Sequence, residues 1–158
     1  MISRLCVVPC GHKKIWAMDP DMGPVQARDA YVGSFSRLCR AYAERFFNDW
    51  VILSAKHGFL RPDDIVPEDY DVSFSQASSE PITVGKLRAQ IRRKGLTGYD
   101  SIVVLGGRRY VEIVMTAFGK RKYPYELPLS DAKGIGTMMH RLRKALDEGE
   151  EIGTADEG

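Results

Sequence analysis

Three short runs of uninterrupted apolar residues punctuate the chain, and each empties into a loop of small or polar residues. Leu5-Cys6-Val7-Val8 meets Pro9-Cys10-Gly11, Val51-Ile52-Leu53 meets Ser54, and Ile102-Val103-Val104-Leu105 meets Gly106-Gly107. Runs without polar alternation predict strands covered on both faces, the habit of parallel sheets. Between them the apolar period lengthens. Tyr31, Phe35, Leu38, Tyr42 and Phe46 predict one face of a long helix, with Asp29 near its positive end. Val84, Leu87 and Ile91 predict a second helix, with Thr83 as N-cap and Gly95 as its stop. Val111, Val114, Met115 and Phe118 predict a third, ending at Gly119. Ile135, Met138, Leu142 and Leu146 predict the last. Tyr123 to Leu129, broken by Pro124 and Pro128, reads as an edge strand.

Alternation of strands and helices predicts an α/β domain with a mostly parallel central sheet. At 158 residues one core suffices. Ligands in such sheets bind beyond the carboxyl ends of the strands. That directs attention to the loops Pro9 to Trp16, Ser54 to Leu60 and Gly106 to Tyr110.

Charge sharpens the picture. The formal net charge is +2, but residues 147–158 hold six acids and no base, so residues 1–146 carry 23 bases and 15 acids. A body so biased attracts phosphates and polyanions. The acidic stretch is expected to be a disordered tail, so the domain is taken as residues 1–146. Three cysteines do not suggest a disulfide framework, and no long apolar segment precedes the first strand. A reduced, cytoplasmic protein without a membrane partner is expected.

The first loop offers Cys10, His12, Lys13 and Lys14. A cation there neutralises a phosphate and favours the Cys10 thiolate, which makes Cys10 a candidate nucleophile. In the second, Ser54, Lys56 and His57 fall within four residues, and Gly58 permits a positive φ and close approach to a ligand. Tyr70 and Asp71 follow in an acidic turn. In the third, Gly106, Gly107 and Arg108 precede a helix, where bare amides and a guanidinium suit an anion. No Walker loop and no G-x-G-x-x-G occurs, so kinase and dinucleotide-binding readings are unsupported. The scattered Cys and His residues suggest no metal, and no cofactor is expected.

Leu53 to Leu60, with Pro62, Asp64-Ile65, Pro67 and Tyr70-Asp71, resembles a signature of the YaaA-like proteins. The chain is more similar still to the domain of unknown function 6884 family. The matching features are Pro9-Cys10-Gly11-His12-Lys13-Lys14, Tyr31-Val32-Gly33-Ser34, Leu105 to Tyr110 and Gly134-Ile135-Gly136. YaaA-like proteins are associated with DNA binding and oxidative stress, but are longer and carry a helix-hairpin-helix-like element that this chain lacks in sequence. Neighbouring families work in nucleobase chemistry. The resemblance therefore implies a nucleotide or nucleic-acid partner.

Together these readings give a single three-layer α/β domain, Rossmann/flavodoxin-like or uracil-DNA-glycosylase-like. The expected function is nucleotide or nucleobase processing at an N-glycosidic bond. In that scheme Lys13, Lys56 and Arg108 hold phosphate. His57 or Asp71 moves the proton, and Tyr31 or Tyr70 stacks on the base. The alternative is a non-catalytic protein that binds DNA or RNA, or senses a nucleotide.

Overall fold

The structure, a computed structural model, describes residues 2–153. In chain order its elements are β1 (Arg4–Pro9), α1 (Ile15–Met18), β2 (Val25–Gln26), α2 (Ala27–Ala30), α3 (Ser34–Phe46), β3 (Asp49–Ser54), β4 (Gly58–Leu60), β5 (Ile65–Val66), α4 (Val84–Arg93), β6 (Ser101–Val104), α5 (Arg108–Phe118), β7 (Tyr125–Glu126) and α6 (Ile135–Glu148). The three apolar runs become β1, β3 and β6. They form the middle of a five-stranded sheet of order β4-β3-β1-β6-β7, in which only β4 runs antiparallel.

Why β1 is central follows from its side chains. Leu5 and Val7 point to one face and pack with Val51, Leu53, Ile102 and Val104 under α4 and α5. Cys6 and Val8 point to the other and pack with Ile52 and Val103 under α3 and α6. Each fully buried Leu or Val contributes roughly 1.5–3 kcal/mol of transfer free energy, so neither face tolerates solvent. Helix α3 lies against α6, and α4 against α5, giving three layers. A two-stranded ribbon of β2 and β5 sits apart from the sheet.

Four expectations need correction. The long helix does not include Tyr31 or Asp29. The chain turns at Gly33, and Tyr31 instead forms an isolated antiparallel bridge with Lys14. Ser54 to Leu60 is not all loop, because Gly58–Leu60 folds back on β3 as an edge strand. Ile135 starts α6 but is exposed, and the helix is anchored by Leu142 and Ala145. Nor does a tail begin at residue 147. Helix α6 continues to Glu148, Arg4 holds Glu151 through two bonds of 2.9 and 2.6 Å, and the Ile152 N–H donates to the Tyr42 hydroxyl at 3.1 Å. Residues 154–158, the rest of that acidic stretch, lie outside the described residues. Among the described residues no helix is long and apolar enough to cross a membrane.

Candidate functional site

The chain leaves β1 toward β3 on the α3 face, and reaches β6 by way of α4 on the other. The connections diverge between β1 and β6, the kind of switch point beyond whose strand ends ligands of doubly wound sheets bind. Cys10 follows β1 on one side of that switch point, and Tyr110, in the first turn of α5, stands on the other. The thiol and the phenol lie 3.1 Å apart, and the Tyr110 hydroxyl also reaches the Cys10 carbonyl at 3.3 Å. The loop after β1 is tied to β3 by the Cys10 N–H, which donates to the Leu53 carbonyl at 3.3 Å.

A second group of hydroxyls lies beside this pair. Ser54, fully buried at the end of β3, accepts the backbone N–H groups of Lys56 (3.2 Å) and His57 (3.0 Å), which shapes the turn into β4. The same hydroxyl lies 2.7 Å from the Tyr70 hydroxyl, which in turn bonds Tyr31. The Tyr70 ring is flanked by the His57 ring, edge-on at 5.1 Å between centroids, and by the Lys14 ammonium at 4.3 Å. Lys14 is only 5% exposed, its ammonium donates to the His12 carbonyl at 3.2 Å, and it belongs to no ion pair among the described residues. Lys56 adds a second cation 5.6 Å from the Tyr70 ring centroid.

Burial decides the protonation of this cluster. It pushes the Tyr31 phenol up to about 12. Burial first, then the neighbouring Tyr31 and Cys10, carry Tyr70 well above the ordinary phenol range. Burial and Cys10 do the same for Tyr110. All three phenols therefore remain neutral donors near pH 7. His57 moves the other way. Burial, then the positive charges of Lys56 and Lys94, lower its pKa, so a neutral imidazole is favoured. Its Nε2 is buried and has no hydrogen-bond partner among the described residues.

The structure thus gathers Cys10, Ser54, Lys56, His57, Tyr31 and Tyr70 around one rim. It treats the other candidates differently. Lys13 is exposed, and its neighbour Lys14 is the lysine that turns inward. Tyr31 is 4% exposed, and its hydroxyl bonds that of Tyr70. Gly58 has φ +76, as its role in a turn requires, but the group pressed against it is the Gln90 side chain, where an added Cβ would lie 2.1 Å from Oε1. The close approach is internal and leaves no space for a ligand there. Gly106 also has a positive φ, 115°, and Gly107 caps α5 without a side-chain bond, so that cap offers no side-chain partner to the first-turn amides of α5. Arg108 is exposed at the start of α5, and Asp71 is exposed next to Tyr70 in the chain, with no hydrogen bond to the cluster among the described residues. Two residues complete the site without having stood out in sequence. Tyr110 follows a Gly-Gly pair that announced its loop. Gln90 braces the His57 turn, accepting from Phe59 N–H at 2.8 Å and donating to the His57 carbonyl at 2.7 Å. Two clefts of about 420 and 530 Å3 lie elsewhere, one between α6 and residues 150–153, the other beside Asp49 and Arg61.

The chain belongs to a family of unknown function (DUF6884), matched over residues 5–144. It is 46% identical over 151 residues to the uncharacterized protein YfjM of Bacillus subtilis (strain 168), an alignment that covers 96% of this chain and 100% of the relative. No solved structure matches it.

Proposed function

We propose that this family member is a nucleotide- or nucleobase-processing enzyme whose substrate binds at the carboxyl ends of β1, β3 and β6, with cleavage or transfer at an N-glycosidic bond as its reaction. The observation that carries the reading is Lys14. An ammonium taken out of water without a carboxylate partner is costly, and an anionic ligand supplies the missing countercharge. Lys56 and Arg108 extend the positive rim, and the amides at the start of α5 favour the same sign of ligand. The parallel order β3-β1-β6-β7 supports the reading of a flavodoxin-like winding, with a ligand beyond the strand ends. The likeness of residues 54–71 to YaaA-like proteins, and the free, buried thiols of Cys6 and Cys39, accord with a cytoplasmic nucleotide-related role.

The chemistry divides among the neighbours of Tyr70. His57, favoured as neutral, accepts a proton at pH 7. Asp71 is the adjoining carboxylate, of the kind that steadies positive charge on a sugar. Cys10, held by Tyr110, is the competing nucleophile. The alternative is a site that binds a nucleotide as a signal without turnover. Chromatography of free base and ribose phosphate after incubation with a nucleotide panel tests the enzyme reading. Lys14→Met is expected to lower kcat/KM by more than about tenfold, one lost charge contact. A nucleotide that raises the melting temperature in a Lys14-dependent way, without product, selects the sensing alternative. No shift and no product across the panel removes both.

A further inference from the structure

Helix α4 presents a separate charged surface. Its sequence, VGKLRAQIRR, contains four cations and no acid. Leu87, Gln90 and Ile91 face the sheet, so Lys86, Arg88, Arg92 and Arg93 are left exposed on the outer arc. Helical spacing sorts them into two rows. Arg88 and Arg92 lie on the flank toward α5, where the Arg88 guanidinium reaches the Thr116 carbonyl at 3.0 Å. Lys86 and Arg93 lie on the opposite flank. Beyond Thr116 the turn after α5 adds exposed Arg121 and Lys122. None of these six cations is in an ion pair among the described residues, and the nearby Glu112 is already taken by Lys120 at 2.5 Å.

The helix packs over β4, the edge strand, and has α5 as its helical neighbour. The turn holding Arg61 and Asp64 bonds Lys94 at the end of α4, so it is the outer arc between the two rows that stays exposed. We infer that α4 is a docking element for the phosphate backbone of duplex DNA, its two rows of cations reaching the two strands that border a major groove. The fit is geometric. A helix with its side chains is about 10–12 Å across, and the B-form major groove is about 12 Å wide. The A-form major groove of duplex RNA is deep and narrow and does not admit such a helix. A membrane surface fits less well, because Ile2, Met18, Met22, Ile65 and Ile135, the large apolar residues exposed among those described, all lie off α4 and α5. Exposed aromatic platforms, which single strands require, are absent from α4 as well. The inference is independent of turnover at the strand-end rim. If both hold, the nucleotide processed there is part of a polymer.

The full chain is titrated into fluorescein-labelled duplex DNA and duplex RNA of one sequence, and into vesicles of phosphatidylglycerol and phosphatidylcholine, at several salt concentrations. Duplex DNA is expected to bind more tightly than duplex RNA, with affinity falling steeply as salt rises. Arg88→Gln/Arg92→Gln and Lys86→Gln/Arg93→Gln are each expected to weaken DNA binding by roughly tenfold and to reduce the salt slope by about two, one per cation. Lys86→Gln/Arg93→Gln keeps the melting temperature of the parent and both double variants keep its response to free nucleotides, whereas Lys14→Met keeps DNA binding and loses the nucleotide response. Equal binding of duplex RNA, binding of vesicles in place of DNA, or variants that bind DNA as the parent does would each overturn the assignment.

Discussion

At the residue scale, the rim is governed by which polar groups lose water. Lys13 and Lys14 are adjacent and chemically identical, so sequence alone assigns the phosphate to either. The backbone bridge between Lys14 and Tyr31 settles which one turns inward. Tyr110 was hidden for a related reason, since its position in a helix start says nothing about a thiol a hundred residues earlier. Cys10, Ser54, His57 and Tyr70 were legible because each follows a strand exit or sits in the distinctive stretch after it. His57 gives a direct test. Its folded pKa is depressed below 6.5 by burial, then by Lys56 and Lys94. As pH falls through 6.5 the unfolded chain takes up the proton first, so stability declines until the folded imidazole protonates as well. Urea midpoints measured across that window should fall with acidification in the parent, and more shallowly in His57→Gln. Parallel curves would show that His57 does not contribute to the slope.

At the element scale, the three buried strands and the helices α4 and α5 were readable from apolar runs, a Thr83 cap and glycine stops. Thr83 does accept the Lys86 N–H, at 3.2 Å. The hairpin strand β4 was not readable. Its turn is built by the Ser54 hydroxyl accepting two backbone amides, with no Asn-Gly signal, and its three residues are too few to show a period. The brace on that hairpin is Gln90, and Gly58 lets it in. Gly58→Ala should cost more than the roughly 1–2 kcal/mol of a left-handed alanine, because its Cβ also meets Gln90. Gln90→Ala should cost about 2 kcal/mol by stranding two buried backbone groups. In the double variant the clash is gone, so the penalty for Gly58→Ala should shrink toward the backbone strain alone. Additive penalties in chemical denaturation would place the crowding elsewhere.

At the scale of the whole molecule, the proposed site and the closure of the chain occupy opposite ends of the sheet. Cys10, Ser54 and Gly106 stand where strands exit, whereas Arg4, at the entry of β1, clasps Glu151. Composition could show that the last residues are acidic, but not that Arg4 and Tyr42 wait for them, since those contacts span more than a hundred positions. Glu151→Ala should lower stability by about 0.5–1 kcal/mol, less at high salt, as suits a partly exposed pair. Nucleotide binding at the far rim should be unchanged, and a loss of binding would mean that the two ends communicate.

Strand β1 carries a consequence for how the chain is made. It is made before both of its neighbours, bordered on one side by residues 49–53 and on the other by residues 101–104. Until the ribosome has delivered the second border, one row of β1 amides and carbonyls and the apolar face above it have no native partner. Nascent chains arrested near residue 96 should therefore recruit chaperones or self-associate, and release past residue 118 should end that exposure.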